Sequence, residues 1–238
     1  MVNVTRAELG AMLNLRVDLI PATHPNRSGR NIAPRYITIH NTANSNPGAN
    51  AAAHARFVRN TGYYLLASGK KNYVSWHYTV DDKEVIKHLP VNERAIHAGR
   101  GNGVSIAIEI CMHADNDQSA CDLRAQRLVA VLMHDLKIPA SHVVPHKHWT
   151  NKNCPTLLLD NFSAFVAGAE AIRAAIMEVD PTIEGLPMPS DIVTESEIRA
   201  SLDPAQQKEA QPDIPPEDDP EREHEWIAKA VEAFISEE

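Results

Sequence analysis

His40, His146 and Cys154 are the residues of this chain whose types and settings could hold a metal ion. His40 falls near the end of the run YITIHN, and His146 and Cys154 bracket the polar stretch HKHWTNKNC. Imidazole and thiolate together suit the borderline-soft Zn2+ ion, and three protein ligands leave a fourth position open to water, the condition a catalytic zinc requires. Taken singly, a histidine near a strand end is more often a surface or core residue than a ligand, and His148 competes with His146 for the same role. Cys154 stands out among the cysteines because a lone thiol in a polar loop has little packing reason to be there. Cys111 and Cys121, at the end of an apolar strand and the start of a helical stretch, read as small core residues.

Glu109 is a different kind of signal. In SIAIEIC, Ile106, Ile108 and Ile110 point one way while Ala107, Glu109 and Cys111 point the other, which places a carboxylate inside an apolar strand. Burying a charge is costly unless it is paired or neutralised, and carboxylates in such settings often serve as general bases; an internal salt bridge or a capping role is the competing reading. Lys152, two residues before Cys154, falls within reach of anything that cysteine holds and could stabilise negative charge developing on a carbonyl oxygen. Without such a neighbour it is an exposed loop lysine. Trp76, His77, His97 and Trp149 have the aromatic or polar-tipped character of a sugar- or peptide-binding groove, and each alone is more often a packing residue.

To present these side chains, the chain must bring several strand ends together. Tyr36 to Asn41 and Val104 to Cys111 are short Ile-rich runs that predict buried strands, and SWHYTVDD followed by EVIKHLP predicts a hairpin across Asp81 and Asp82. Helical patterns lie around them. Ala49 to Asn60 is Ala-rich; Ser119 to Leu136 places Leu123, Leu128, Val131, Leu132 and Leu136 on one stripe; Asn161 to Val179 does the same with Phe162, Phe165, Val166, Ala169, Ile172 and Ile176. Strands interleaved with helices predict an α/β domain over residues 1–180, with a central sheet flanked by helices on both faces and made mixed by the hairpin.

Charge divides the chain in the same place. Residues 181–238 hold 4 basic and 16 acidic side chains, so a +4 domain is followed by a −12 tail. The acidic, Pro-punctuated text over 181–222 predicts an extended linker, because few residues there can form a core and like charges repel. Over 223–238, Ile227, Val231 and Ile235 recur at helical spacing, predicting an amphipathic helix that either docks back on the main domain or opens a further module. A hydrophobic content of 43% suffices for a substantial core and argues against a disordered chain. No run approaches the roughly 18–20 apolar residues of a membrane helix, and the first residues lack a secretory pattern, so the expectation is synthesis as a soluble cytoplasmic protein. Three cysteines argue against a disulfide framework, and an acidic chain without a basic stripe argues against nucleic acid as a partner.

Read in order, VDLIPATHPNRSG, YITIHNTAN, SWHYTVDDKEVIKHLP, NERAIHAG, SIAIEIC and VVPHKHWTNKNCP resemble the type 2 N-acetylmuramoyl-L-alanine amidase family, in particular its phage-endolysin and prophage branch from Gram-positive bacteria. The resemblance runs from residue 17 to about 160. It implies a fold like that of the peptidoglycan recognition proteins, with a zinc cleft at one edge of the sheet. It implies that His40, His146 and Cys154 bind Zn2+, with His146 preferred over His148 as the first histidine of the H-x-H-W block. Glu109 is then the catalytic acid/base, and Lys152 assists the oxyanion. Several relatives carry a tyrosine where this chain has Trp76; an indole has no phenol to donate, which leaves the proton chemistry to Glu109 and substrate contact to Trp76, along with His77, His97 and Trp149.

The implied reaction is hydrolysis of the amide between N-acetylmuramic acid and L-alanine in bacterial cell-wall peptidoglycan. A bacteriolytic enzyme of this kind is made in the host cytoplasm without a signal peptide and reaches the wall at lysis, without membrane insertion. Two further readings stand beside it: a cytoplasmic amidase recycling soluble muropeptides, which needs no linker, and a non-catalytic peptidoglycan-binding module, whose relatives usually lack the cysteine ligand. The final helix resembles the first helix of repeat modules that tether proteins to Gram-positive walls. The oligomeric state is left open, a monomeric catalytic domain being the expectation.

Overall fold

Alternation along a few Ile-rich strands decides which side chains reach the core and which reach the site. The computed structural model describes residues 4–177 and 192–202. In chain order the elements are β1 (Val4–Thr5), α1 (Arg6–Met12), β2 (Leu15–Val17), β3 (Tyr36–Asn41), α2 (Ala51–Asn60), β4 (Tyr63–Leu65), β5 (Lys71–Tyr73), β6 (Tyr78–Val80), β7 (Val85–Lys87), β8 (Ser105–Ile110), α3 (Gln118–Leu136), β9 (Val143–Pro145), α4 (Lys147–Thr150), α5 (Phe162–Ala174), β10 (Ile176–Met177) and α6 (Glu195–Leu202). Six strands form one sheet in the order β2-β7-β6-β8-β3-β9, parallel throughout except where β6 and β7 pair antiparallel. The sheet is therefore mixed for the reason expected, the hairpin. Its turn is closed by Asp81, whose Oδ1 accepts from the N–H groups of Lys83 and Glu84 while Oδ2 accepts from Ala51 at the start of α2.

On one face, Ile37, Ile39, Ile106, Ile108 and Ile110 pack with Leu128, Val131 and Leu132 of α3 and Phe165 and Ala169 of α5. Full burial of each such isoleucine contributes roughly 1.5–3 kcal/mol, so these five alone supply on the order of 10 kcal/mol. On the other face, Ala107 packs with Ala49, Ala53 and Phe57, and Cys111 with Ala51 and Ala55. Helix starts are marked in the sequence: Thr5 and Glu8 form a reciprocal capping box on α1, and the side chains of Asn50 and Asp117 accept from Ala53 and Ala120 at the starts of α2 and α3. The helix expected to run to Val179 ends at Ala174, because Ile176 and Met177 turn out to pair in parallel with Val4 and Thr5. Among the described residues, no helix is long and apolar enough to cross a membrane.

The stretch expected as linker over 181–222 contains a packed segment. Ile192 and Val193 are buried in the main core, and α6 lies against α3. Thr194 and Glu197 form a second capping box: the Thr194 hydroxyl accepts from Glu197 N, and Glu197 Oε2 accepts from Thr194 N. The same carboxylate reaches into the domain. Lys87 Nζ donates to Glu197 Oε1 at 2.8 Å and to Ile192 O at 3.0 Å, Tyr78 Oη donates to Ile192 O, and Val91 N donates to Glu197 Oε1. Burial works to raise the Glu197 carboxyl, but Lys87 and the hydrogen bonds hold it below the ordinary value. Two apolar residues and a T-x-x-E cap are enough to dock this segment despite its acidic surroundings. The amphipathic helix expected over 223–238 lies outside the described residues.

A chain ending after residue 180 loses the Lys87–Glu197 pair together with the burial of Ile192 and Val193. Removing one partner of a buried pair costs about 3–5 kcal/mol, so urea unfolding is expected to show that loss for the 1–180 chain against the 1–202 chain. Equal stability of the two would show that the segment contributes nothing.

Candidate metal centre

Ligands of open α/β sheets gather at the carboxyl ends of parallel strands, and here β8, β3 and β9 end side by side. The β3–β8 register sets His40 opposite Glu109. The β3–β9 register sets Ile39 opposite Pro145, so His146 leaves β9 one residue later, with its N–H donating to Ile39 O at 3.2 Å. After α4, Asn151 takes a left-handed conformation (φ 62°) and the chain doubles back, so that Lys147 N donates to Cys154 O at 3.1 Å. Asn41 fastens this loop to the strand ends: its Oδ1 accepts from Leu157 N at 3.0 Å and its Nδ2 donates to Ile110 O at 3.2 Å.

The ligand atoms of His40, His146 and Cys154 lie within 4.8 Å of one another, and all three residues are buried. His40 Nδ1 is 3.8 Å from Cys154 Sγ, and the rings of His40 and His146 are 4.6 Å apart. Tetrahedral bonds of roughly 2.0–2.3 Å set ligand atoms about 3.5 Å apart, so two imidazoles and a thiol converging at these distances fit a metal ion. Glu109 Oε1 lies 3.8 Å from His40 Nδ1, on the same face of the sheet. Lys152 is buried beside Cys154, only 4% exposed, and is not the exposed loop lysine that its position alone allowed. His148 is exposed on α4, with its ring stacked toward Tyr36, and stands outside the cluster.

The four expected groove residues separate. Trp76 is buried against Phe57, its indole N–H donating to Thr79 Oγ1 at 2.7 Å. His77 is fully buried and both ring nitrogens are engaged, Nδ1 accepting from Ala107 N and Nε2 donating to Glu93 O. Neither faces a groove. Both sit on the irregular stretch leading into β6, where Trp76 packs with Phe57 of α2 and His77 is enclosed between Ala107 and Glu93, so the expectation of substrate contact is corrected for these two. His97 is turned to His40, with Nδ1 3.0 Å from His40 Nε2, and burial holds it well below the ordinary histidine value. Trp149 is half-buried and alone among the four keeps appreciable exposed surface. Sequence reasoning missed Asn41 and Asn102. Asn41 was readable as a polar residue ending an apolar strand; Asn102, which accepts from the N–H groups of His97 and Ala98, had no sequence signal.

Comparison with known proteins points to one family. Residues 29–157 match the family described as N-acetylmuramoyl-L-alanine amidase. The chain is 47% identical over 161 residues to the N-acetylmuramoyl-L-alanine amidase XlyA of Bacillus subtilis (strain 168), covering 66% of this chain and 51% of that protein. It is 41% identical over 187 residues to the N-acetylmuramoyl-L-alanine amidase CwlH of the same organism, covering 76% of this chain and 70% of that protein. It is similar to the solved catalytic domain of XlyA, with a TM-score of 0.60 and 46% identity, over 66% of this chain and 99% of that one. The chain thus spans about half the length of XlyA.

Away from the ligands, desolvation lowers His54 and His77 to about 4 and His88 to about 3, so all three stay neutral in the folded protein from pH 6.5 down to about 5. Their unfolded value is about 6.5, so between that pH and their folded values the unfolded chain binds more protons and stability falls as pH falls. Each contributes up to about 1.4 kcal/mol per pH unit. Urea unfolding of the metal-free protein should show a loss of stability from pH 6.5 to 5, above the range where most carboxylates titrate. A flat profile there would mean that these histidines are charged in the fold.

Proposed function

This chain belongs to the N-acetylmuramoyl-L-alanine amidase family, and from that premise we propose that it is a zinc-dependent peptidoglycan hydrolase of the endolysin kind, cleaving the amide between N-acetylmuramic acid and the L-alanine of the stem peptide. The observation that carries this reading is the convergence of His40, His146 and Cys154 beside the buried carboxylate of Glu109. Two imidazoles and one thiolate are the donors zinc favours, and three of them leave a position for water. What zinc supplies in such a site is Lewis acidity, polarising a carbonyl and easing the deprotonation of water near neutral pH.

Glu109 takes a proton from the attacking water and returns it to the departing alanine amine, a role its place beside His40 allows. Lys152, held in the buried loop before Cys154, donates to the oxyanion that forms on the lactyl carbonyl oxygen, where the absence of bulk water strengthens its field. Trp149, which keeps exposed surface, is the aromatic residue that meets substrate, while Trp76 and His77 are packed in the interior. In this reading the enzyme acts as a monomer on the wall of a Gram-positive host after release from the cytoplasm at lysis. Residues 1–202 are its catalytic unit, and the amphipathic pattern over 223–238 begins a wall-binding module.

The test is the chemistry of the ends released from purified Gram-positive peptidoglycan by the zinc-loaded protein. New N-terminal alanine without new reducing sugar is expected; reducing sugar would make it a glycosidase. Glu109→Gln is expected to lower kcat about 10²–10⁴-fold with zinc content unchanged. Activity near wild type in that variant would remove Glu109 from the proton transfer.

A further inference from the structure

Behind His40 runs a hydrogen-bond chain whose direction is set at both ends. An indole N–H only donates and a backbone carbonyl only accepts. Trp149 Nε1 donates to Thr38 Oγ1 at 2.8 Å, and Thr38 passes its own proton to Ser105 Oγ at 2.9 Å. Ser105 spends its single proton on Gly101 O at 2.8 Å, which leaves its lone pairs for Thr38 and for His97 Nε2, 3.3 Å away. His97 therefore carries a proton on Nε2. As a neutral ring it offers a bare Nδ1, 3.0 Å from His40 Nε2. His40 in turn holds its proton on Nε2, and its Nδ1 lone pair faces Cys154 Sγ.

The elements of this chain are firmly placed. Thr38, His40, His97 and Ser105 are all buried, and Asn102 Oδ1 accepts from the backbone N–H groups of His97 and Ala98 at 2.8 and 2.7 Å. Trp149 lies directly over Gly101, where a Cβ would meet the indole at 2.8 Å, so the position admits no side chain while the indole stays where it reaches Thr38.

We propose that His97 and Ser105 are positioning residues that hold His40 in the one tautomer able to take a metal through Nδ1, before any ion arrives. The inference rests on the metal reading above. Both polar atoms of the His97 ring are used by the protein, which removes it from substrate contact. Holding the second nitrogen of a ligating histidine typically changes metal affinity about 10–100-fold.

The first test needs no metal. A long-range 1H–15N correlation spectrum of the full-length, metal-free chain should show His40 protonated on Nε2 and bare on Nδ1, and both tautomers in exchange in His97→Phe. Zinc affinity, measured with Zn2+ alone against a chromogenic chelator, should fall about 10–100-fold in His97→Phe and recover in His97→Asn, whose amide oxygen can stand where Nδ1 stood. Should His97→Phe not fold, Ser105→Ala carries the same affinity test. A wild-type His40 protonated on Nδ1, or wild-type affinity in the folded variant, would overturn the proposal. So would a His97→Asn as weak as His97→Phe, since ring bulk and not the acceptor would then matter. Failure of the wild-type chain to bind zinc would strike instead at the metal reading, which the tautomer measurement does not touch.

Discussion

The parallel pairing of β3 with β8 on one side and β9 on the other is the constraint on which the site depends. Side chains on a strand alternate between faces, so a slip of one residue would carry His40 to one side of the sheet and leave Glu109 on the other. The register is held by the opposite face. Ile37, Ile39, Ile106, Ile108 and Ile110 fill the core against α3 and α5, and a one-residue slip of either strand would drive its isoleucines out of the core and put Thr38 and His40, or Glu109, in their place. Packing far from the chemistry thereby fixes the geometry of the chemistry, and the stabilisation of the isoleucines is large enough to do so.

A cluster of polar groups beneath an apolar sheet is stable only if its members find partners, since each unsatisfied group costs about 1–3 kcal/mol. The loop after β9 shows how this is met: Asn41, with one donor and one acceptor in use, ties the end of β8 to the turn behind Cys154. His77 likewise spans Ala107 and Glu93 and fastens the start of β6 to the strand carrying Glu109. These side chains touch no reacting atom in the proposed mechanism, yet they decide where Glu109 and Cys154 stand.

Much of this could be read from the chain. The two Ile-rich strands, the hairpin and three helices follow from period-two and period-3.6 patterns, and His40, Glu109, His146 and Cys154 followed from residue type, strand ends and the family resemblance. What could not be read is tertiary. Trp76 and His77 have the composition of a groove, and only packing against α2 for the one and the bonds to Ala107 and Glu93 for the other make them interior. The contact of His97 with His40 is likewise tertiary, because nothing in NERAIHAG says which way its ring turns. Over 192–202 the signal is local and outweighed: a T-x-x-E capping box stands in acidic, proline-rich text whose composition predicts a linker.

That segment also shows how one pair of strands serves two purposes. Tyr78 and Lys87 are paired across β6 and β7, and both point toward Ile192. One residue on, Thr79 is paired with Glu109 and faces the other way, accepting from Trp76. A buried ion pair adds little net stability over a well-packed apolar contact, but a lysine left in the interior without its carboxylate is heavily penalised. The penalty falls on every arrangement in which α6 docks elsewhere, so the Lys87–Glu197 pair works less as glue than as an address. By closing over β6 and β7 from the core side, it steadies β6, the strand that pairs with β8 and sets Thr79 opposite Glu109, without reaching into the site itself.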